Sequence, residues 1–158
     1  MKVVILAGGF GTRFSEETIT KPKPMIEIGN KPILWHIMKY FAEFGLNDFI
    51  ICTGYKEEII KNYFINYEIN NSDLSLDLFE NKIILSNKHC EKWKVKIINT
   101  GIETMTGGRL KRIKNLIDDT FIMTYGDGLA NINITKLINF HKKRKKFVTV
   151  SAVRPPAR

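Results

Sequence analysis

The chain has 158 residues, of which 44% are hydrophobic and 26% are charged, and its formal net charge is +9. These proportions are typical of a soluble globular domain and exclude collagen-like, disulfide-framework and intrinsically disordered chains. No apolar run approaches the ~18 residues of a membrane helix, so an integral membrane protein is not expected. Cys52 and Cys90 have no metal-ligand spacing, which predicts two reduced thiols in a cytoplasmic protein.

Short apolar runs alternate with helical periodicity along the chain, which is the pattern of βαβ units. The expected strands are residues 3–7, 49–53, 83–85, 95–98, 121–125 and 147–153. The expected helices are residues 32–44, 56–67, 108–116 and 135–141, and Gly45 is placed to end the first of them. Together they predict an α/β fold with a Rossmann-like, doubly wound, mixed and mostly parallel sheet. Such sheets bind ligands at the carboxyl ends of their strands.

A glycine-rich loop, LAGGFGTR at residues 6–13, directly follows the first expected strand. Glycines allow backbone N–H groups to approach phosphate oxygens, and Arg13 adds a cation. The loop lacks the Gly-Lys-Ser/Thr ending of a Walker A motif. It also lacks the third glycine of a Rossmann fingerprint, because Phe14 stands at that place. A turn with glycines for packing alone would leave Arg13 unexplained, so phosphate binding is the favoured interpretation.

A second basic group, Lys23, lies within KPKPM at residues 21–25, where prolines on both sides stiffen the backbone. A lysine and an arginine converging on one glycine loop are suited to neutralising a polyphosphate and its transition-state charge. The alternative is a solvent-exposed proline turn with incidental lysines.

Positive charge is concentrated in a run of five lysines and arginines at residues 142–146, at the end of the last expected helix. Cations complement the dipole at a helix C-terminus, so a solvated helix end is favoured over a phosphate-binding or partner-binding patch. Because the sequence has neither zinc-finger spacing nor an aromatic-basic motif, nucleic acid is not an expected partner.

The glycine loop and the KPKPM segment together resemble the signature of the sugar-1-phosphate nucleotidyltransferases. Residues 15–18, 27–29, 31–38, 105–112 and 124–128 are similar to the branch that transfers a cytidylyl group from CTP to glucose 1-phosphate. The resemblance covers essentially the whole chain. It implies formation of CDP-glucose and pyrophosphate with Mg²⁺ as cofactor, in a homo-oligomer that serves surface-polysaccharide synthesis.

The resemblance also implies roles for individual residues. Residues 6–13 would hold the nucleotide and its phosphates, and Arg13 and Lys23 would be the catalytic residues. Residues 104–109 would recognise cytosine, and Asp127 would bind Mg²⁺, with a simple turn residue as the alternative. The implied nucleotide-binding residues are Leu6, Ala7, Gly8, Gly9, Phe10, Gly11, Thr12, Arg13, Lys23, Thr104, Gly108, Arg109 and Asp127.

Members of this family continue beyond the length of this chain into a half that binds the sugar phosphate and adds a second metal ligand. The expected organisation is therefore one nucleotide-binding portion over residues 1–158, without the acceptor half. We expect weak binding of a cytidine nucleotide with slow or no turnover. Two alternatives stay open, a nucleotidyltransferase for another nucleotide or sugar phosphate and a non-catalytic nucleotide-binding remnant.

Overall fold

The computed structural model describes residues 1–9 and 20–153, which fold around a parallel sheet. The strands are β1 Val3–Leu6, β2 Glu27–Ile28, β3 Lys31–Pro32, β4 Asp48–Thr53, β5 Asp73–Asp77, β6 Lys82–Ser86, β7 Lys94–Asn99 and β8 Ile122–Tyr125. The α-helices are α1 Ile33–Ala42, α2 Glu57–Ile65, α3 Tyr67–Asn70, α4 Thr106–Arg112 and α5 Ile134–Arg144. Two 3₁₀ turns are formed by Lys23–Met25 and Lys114–Leu116.

The central sheet of the described residues has four parallel strands in the order β7-β4-β1-β8. Val4 of β1 pairs with Ile50 of β4 on one side and with Met123 of β8 on the other. The chain moves outward from β1 to β4 and β7, and then places β8 on the opposite side of β1. Such a reversal creates the crevice in which doubly wound sheets bind ligands.

The expected α/β fold class is confirmed. Within the described residues the central sheet contains only parallel pairs. Antiparallel pairing occurs in two separate ribbons, β2–β3 and β5–β6. Gly45 has a φ of +78° and follows the first helical segment, as expected. The segment expected as one helix at residues 56–67 divides into α2 and α3, and residues 108–116 divide between α4 and a 3₁₀ turn.

Alternate side chains of β1 enter two different hydrophobic layers. Val3 and Ile5 pack against the layer that α1, α2 and α5 form, whose buried helical members are Leu34, Ile37, Met38, Phe41, Ile60 and Ile134. Val4 and Leu6 face the opposite layer, which contains Ile113. Because helices cover both faces, β1 is a continuous apolar run rather than an alternating one.

The prediction of a strand at residues 147–153 is wrong. This segment forms no strand, and the side chains of Phe147, Val148 and Val150 are exposed. Valine and threonine favour β structure where a neighbouring strand and a covering layer receive them, and no described strand pairs with this segment. Thr149 instead contacts α5, where its Oγ1 lies 2.8 Å from Nδ1 of His141.

Across residues 1–9 and 20–153, every helix is too short or too polar to cross a membrane.

Candidate active site

A cleft of about 560 Å³ opens at the carboxyl ends of β1 and β8, and the loop after β7 forms a further wall. Eight of the predicted nucleotide-binding residues line it: Leu6, Ala7, Gly8, Gly9, Lys23, Thr104, Arg109 and Asp127. Gly108 is exposed on α4 and does not line the cleft. The predicted residues Phe10, Gly11, Thr12 and Arg13 lie outside the described part of the chain.

Lys23 and Asp127 meet in this cleft, with Lys23 Nζ 3.9 Å from Asp127 Oδ2. Lys23 begins a 3₁₀ turn in which Pro24 and Met25 are buried. Gly126 permits this turn to pack against the end of β8, since a Cβ atom at residue 126 would lie 2.7 Å from Pro24 Cγ. The buried proline therefore anchors the turn, and the lysine is held beside the carboxylate.

Arg109 lies at the base of the cleft and is only 5% exposed. Its Nη1 donates hydrogen bonds to the carbonyl oxygen of Thr53 at 2.9 Å and to Thr100 Oγ1 at 2.6 Å. Its Nη2 donates to the carbonyl oxygens of Gly8 at 2.9 Å and Ile102 at 3.2 Å. Burial lowers the pKa of the guanidinium, which nevertheless stays charged at neutral pH. Both terminal nitrogens thus already have protein acceptors.

Sequence reasoning does not name Pro24, Ile102, Glu103, Tyr125 and Gly126 as nucleotide-binding residues, although all of them line the cleft. Met105 and Thr106 also line it, and they lie within the segment 104–109 that is expected to recognise cytosine. A usable signal existed for most of them. Tyr125 and Gly126 directly precede Asp127, and residues 102–106 follow the strand β7. Because the carboxyl ends of parallel strands share one edge of a sheet, residues after each strand are candidates as a group.

Asp127 is the predicted metal ligand, and its half-exposed carboxylate faces the cleft. No cluster of three or more His, Cys, Asp or Glu side chains that could hold a metal occurs within residues 1–9 and 20–153. Magnesium in nucleotide enzymes is usually held by one or two carboxylates together with the substrate phosphates. The described donors therefore fit a Mg²⁺ ion shared with a nucleotide, and do not fit a closed site made by protein alone.

A family model described as nucleotidyl transferase matches residues 2–158. The chain belongs to this family. Glucose-1-phosphate cytidylyltransferase from Salmonella typhimurium is 53% identical to this chain over 160 residues, covering 100% of the chain and 62% of that relative. A probable glucose-1-phosphate cytidylyltransferase from Bacillus subtilis is 47% identical over 154 residues, covering 97% of the chain and 60% of the relative. The chain therefore spans 60–62% of the length of these curated relatives.

Two solved structures of similar fold each align with about nine-tenths of this chain. HddC from Yersinia pseudotuberculosis, complexed with GMP-PN, has a TM-score of 0.63 and 29% identity, covering 89% of this chain and 53% of that one. UDP-glucose pyrophosphorylase from Acinetobacter baumanii has a TM-score of 0.68 and 19% identity, covering 91% of this chain and 53% of that one. At that lower identity the likeness concerns the fold alone.

Proposed function

We propose that this chain forms the nucleotide-binding portion of an enzyme that transfers a cytidylyl group from CTP to glucose 1-phosphate. The products would be CDP-glucose and pyrophosphate. The observation that carries the proposal is the cleft at the switch point of the sheet, where Gly8, Lys23 and Asp127 lie together. The 53% identity to a glucose-1-phosphate cytidylyltransferase supports the choice of cytidine and glucose.

The proposed reaction is an in-line displacement at the α-phosphorus of CTP. A phosphate oxygen of glucose 1-phosphate forms the new P–O bond, and the bond between the α- and β-phosphates breaks as pyrophosphate leaves with the electron pair. The attacking oxygen is anionic at neutral pH, so the reaction needs no general base. Catalysis then depends on positioning and on neutralising negative charge, which are the contributions expected from phosphoryl-transfer sites.

Within the described residues, Lys23 is the cation suited to the phosphates. Its ammonium lies inside the cleft on a turn that buried Pro24 anchors, so the charge is pre-positioned rather than free to sample solvent. The backbone of Gly8 and Gly9 borders the same space and offers an approach for phosphate oxygens that carries no side chain. Arg13 would add a second cation, and its role stays a prediction.

Asp127 would hold Mg²⁺ together with the phosphates of the bound nucleotide. Magnesium supplies charge neutralisation on the phosphates and orients them for displacement. In the structure, the ammonium of Lys23 lies beside this carboxylate, with its Nζ 3.9 Å from Asp127 Oδ2. Replacing Asp127 by Asn should therefore weaken nucleotide binding more in the presence of Mg²⁺ than in its absence.

The proposal is tested by isothermal titration of the chain with CTP and Mg²⁺, with UTP, dTTP and ATP as controls. Preferential binding of CTP is the expected result. A cytosine presents an amine where uracil and thymine present a carbonyl, so a site built for that edge separates the bases by hydrogen bonding. Equal binding of all four nucleotides would contradict the cytidine assignment, and absence of binding would contradict the nucleotide site itself.

Pyrophosphate release with glucose 1-phosphate, measured on the same sample, tests the transfer step. Release that requires both CTP and glucose 1-phosphate supports transferase activity in this chain. Selective CTP binding without release supports a nucleotide-binding portion and contradicts a complete transferase within these 158 residues. The homo-oligomer, the cytoplasmic location and the role in polysaccharide synthesis stay predictions.

A further inference from the structure

The guanidinium of Arg109 connects the loops at the ends of three neighbouring strands. Gly8 follows β1, Thr53 ends β4, and Thr100 and Ile102 follow β7. Each of these four residues accepts one hydrogen bond from Arg109, at distances between 2.6 and 3.2 Å. The connections span the sheet edge from the first glycine of the predicted phosphate loop to the opposite wall of the cleft.

The glycines around Arg109 make room for this guanidinium. A Cβ atom at Gly8 would lie 2.0 Å from Arg109 Nη1 and 2.5 Å from its Cζ. A Cβ atom at Gly54 would lie 3.2 Å from Nη1 and 2.8 Å from the carbonyl oxygens of Gly8 and Gly101. A side chain at residue 8 would therefore displace the guanidinium from its present position, so Gly8 serves the packing of Arg109 in addition to any approach by a phosphate.

Arg109 is also a buried cation whose described neighbours include no carboxylate at ion-pair distance. The ion pairs found in residues 1–9 and 20–153 all involve lysines. Backbone carbonyl dipoles and one hydroxyl stabilise the charge instead. A buried cation at the base of a cleft raises the electrostatic potential there and favours an anionic ligand.

We infer that Arg109 is a positioning residue that holds Gly8 against the loop of residues 100–106 and so shapes the cleft for a triphosphate. This role differs from reading the cytosine base, because both terminal nitrogens of Arg109 are occupied by protein acceptors. Lysine cannot replace it, since an ammonium lacks the planar fork that reaches several acceptors at once. The inference deepens the proposed function and rests on it.

The test compares wild type with Arg109→Lys by isothermal titration in Mg²⁺, using CTP, UTP and inorganic tripolyphosphate as probes. Tripolyphosphate has no base, so it reports on the phosphate site alone. Arg109→Lys is expected to weaken the binding of CTP and of tripolyphosphate by a similar factor, about tenfold or more, because the planar guanidinium and its hydrogen bonds are lost. The ratio of CTP to UTP affinity should stay unchanged. A changed ratio with unchanged tripolyphosphate affinity would overturn the inference in favour of base recognition.

Thr100 provides a second variant that acts through Arg109. It is fully buried, does not line the cleft, and its hydroxyl accepts from Arg109 and donates to the carbonyl oxygen of Thr53 at 2.8 Å. Thr100→Val should weaken tripolyphosphate binding about two- to tenfold, whereas Thr100→Ser keeps the hydroxyl and should retain wild-type affinity. The effects of Thr100→Val and Arg109→Lys should be less than additive, since they break one shared contact. Additive effects, or equal losses in Thr100→Val and Thr100→Ser, would contradict the inference.

Failure of the inference and failure of the proposed function give different results. If wild type binds tripolyphosphate but shows no preference for CTP, the cytidine proposal fails. The inference about Arg109 is then still decided by comparing the tripolyphosphate affinities of wild type and Arg109→Lys. If wild type prefers CTP and Arg109→Lys binds tripolyphosphate normally, only the inference fails. Amide hydrogen exchange separates a local effect from poor folding, since the N–H of Tyr55 donates to the carbonyl oxygen of Gly8 at 3.4 Å. In Thr100→Val, faster exchange at Tyr55 with unchanged exchange in β1 supports the connection, whereas unchanged exchange at Tyr55, or equally faster exchange at both places, contradicts it.

Discussion

The central strands β1 and β4 and the β5–β6 ribbon are both regular β structure, yet the two central strands are almost wholly buried and the ribbon is almost wholly exposed. Phe49 of β4 is fully buried between the sheet and its covering layer, whereas Phe79, in the turn of the ribbon, is 93% exposed. Ribbon side chains such as Leu76 and Ile83 are likewise exposed although every strand residue is paired. Backbone pairing alone therefore produces strands, whereas two covering layers produce the buried sheet whose edge carries the cleft.

The largest effect expected from this difference is on stability. Phe49→Ala removes a buried ring that packs edge-to-face on Trp93 at 5.7 Å, and should cost about 3–5 kcal/mol. The matched control, Phe79→Ala, removes the same side chain from an exposed turn and should change stability by less than about 0.5 kcal/mol. The backbone N–H of residue 79, which donates to Asp77 Oδ1 at 3.0 Å, is kept in this variant. Urea denaturation measures both, and comparable losses would contradict the contrast in burial.

The functional difference between the cleft and the outer surface is tested with two lysines of one segment. Lys23→Met should weaken CTP binding by about 1.5–3 kcal/mol, because it removes a charged donor from the phosphate site. Lys21 is exposed and paired with Glu27 at 2.8 Å outside the cleft, so Lys21→Met should leave CTP affinity nearly unchanged. Titration calorimetry compares them, and equal losses would indicate general charge attraction.

A pair of glycine substitutions sharpens the comparison at the sheet edge itself. Gly54→Ala would place a Cβ atom 2.8 Å from two backbone carbonyl oxygens and should cost about 1–3 kcal/mol. Gly107→Ala has open space around its Cβ position in α4 and should stabilise the protein by up to about 1 kcal/mol. Thermal or urea unfolding measures the change in stability of both variants. An unchanged free energy of unfolding in Gly54→Ala would mean that the strand ends can separate without cost.

The smallest predicted effect concerns pH. A hydrogen bond from Lys61 lowers the pKa of Glu57, which also accepts from Thr53 at the end of β4. A carboxylate with a lowered folded-state pKa stabilises the protein above its unfolded pKa of about 4.3, and that stability is lost as pH falls through the lower folded-state value. Glu57→Gln should therefore cost about 0.5 kcal/mol at pH 7 and nearly nothing near pH 3.

The control for this prediction is the neighbouring exposed residue, Glu58, which occupies the same first turn of α2. Glu58→Gln removes a charge from the same helix N-terminus and leaves the contacts of Glu57 with Lys61 and Thr53 in place. Identical pH profiles for the two variants would show that the contacts of Glu57 contribute no more than a helix-dipole interaction.

Sequence patterns identified the elements whose local chemistry is distinctive. The continuous apolar run at residues 3–7 predicts β1 because a strand covered on both faces has no polar side. Gly45 predicts the end of the first helical segment because it readily adopts positive φ. The valine-rich residues 147–153 show the limit of this reasoning, since the same β propensity leads to no strand where no described strand pairs with it.

The sequence by itself predicted the four strands of the central sheet and, through its family resemblance, nominated Lys23, Arg109 and Asp127 one by one. Only the tertiary structure decided that Lys23 lies 3.9 Å from Asp127 and that Arg109 bonds to the ends of three strands. The physical reason is that local patterns report the preference of one segment, whereas these contacts depend on the order of strands in the sheet. They depend equally on close approaches, such as Pro24 on Gly126, that two distant segments make together.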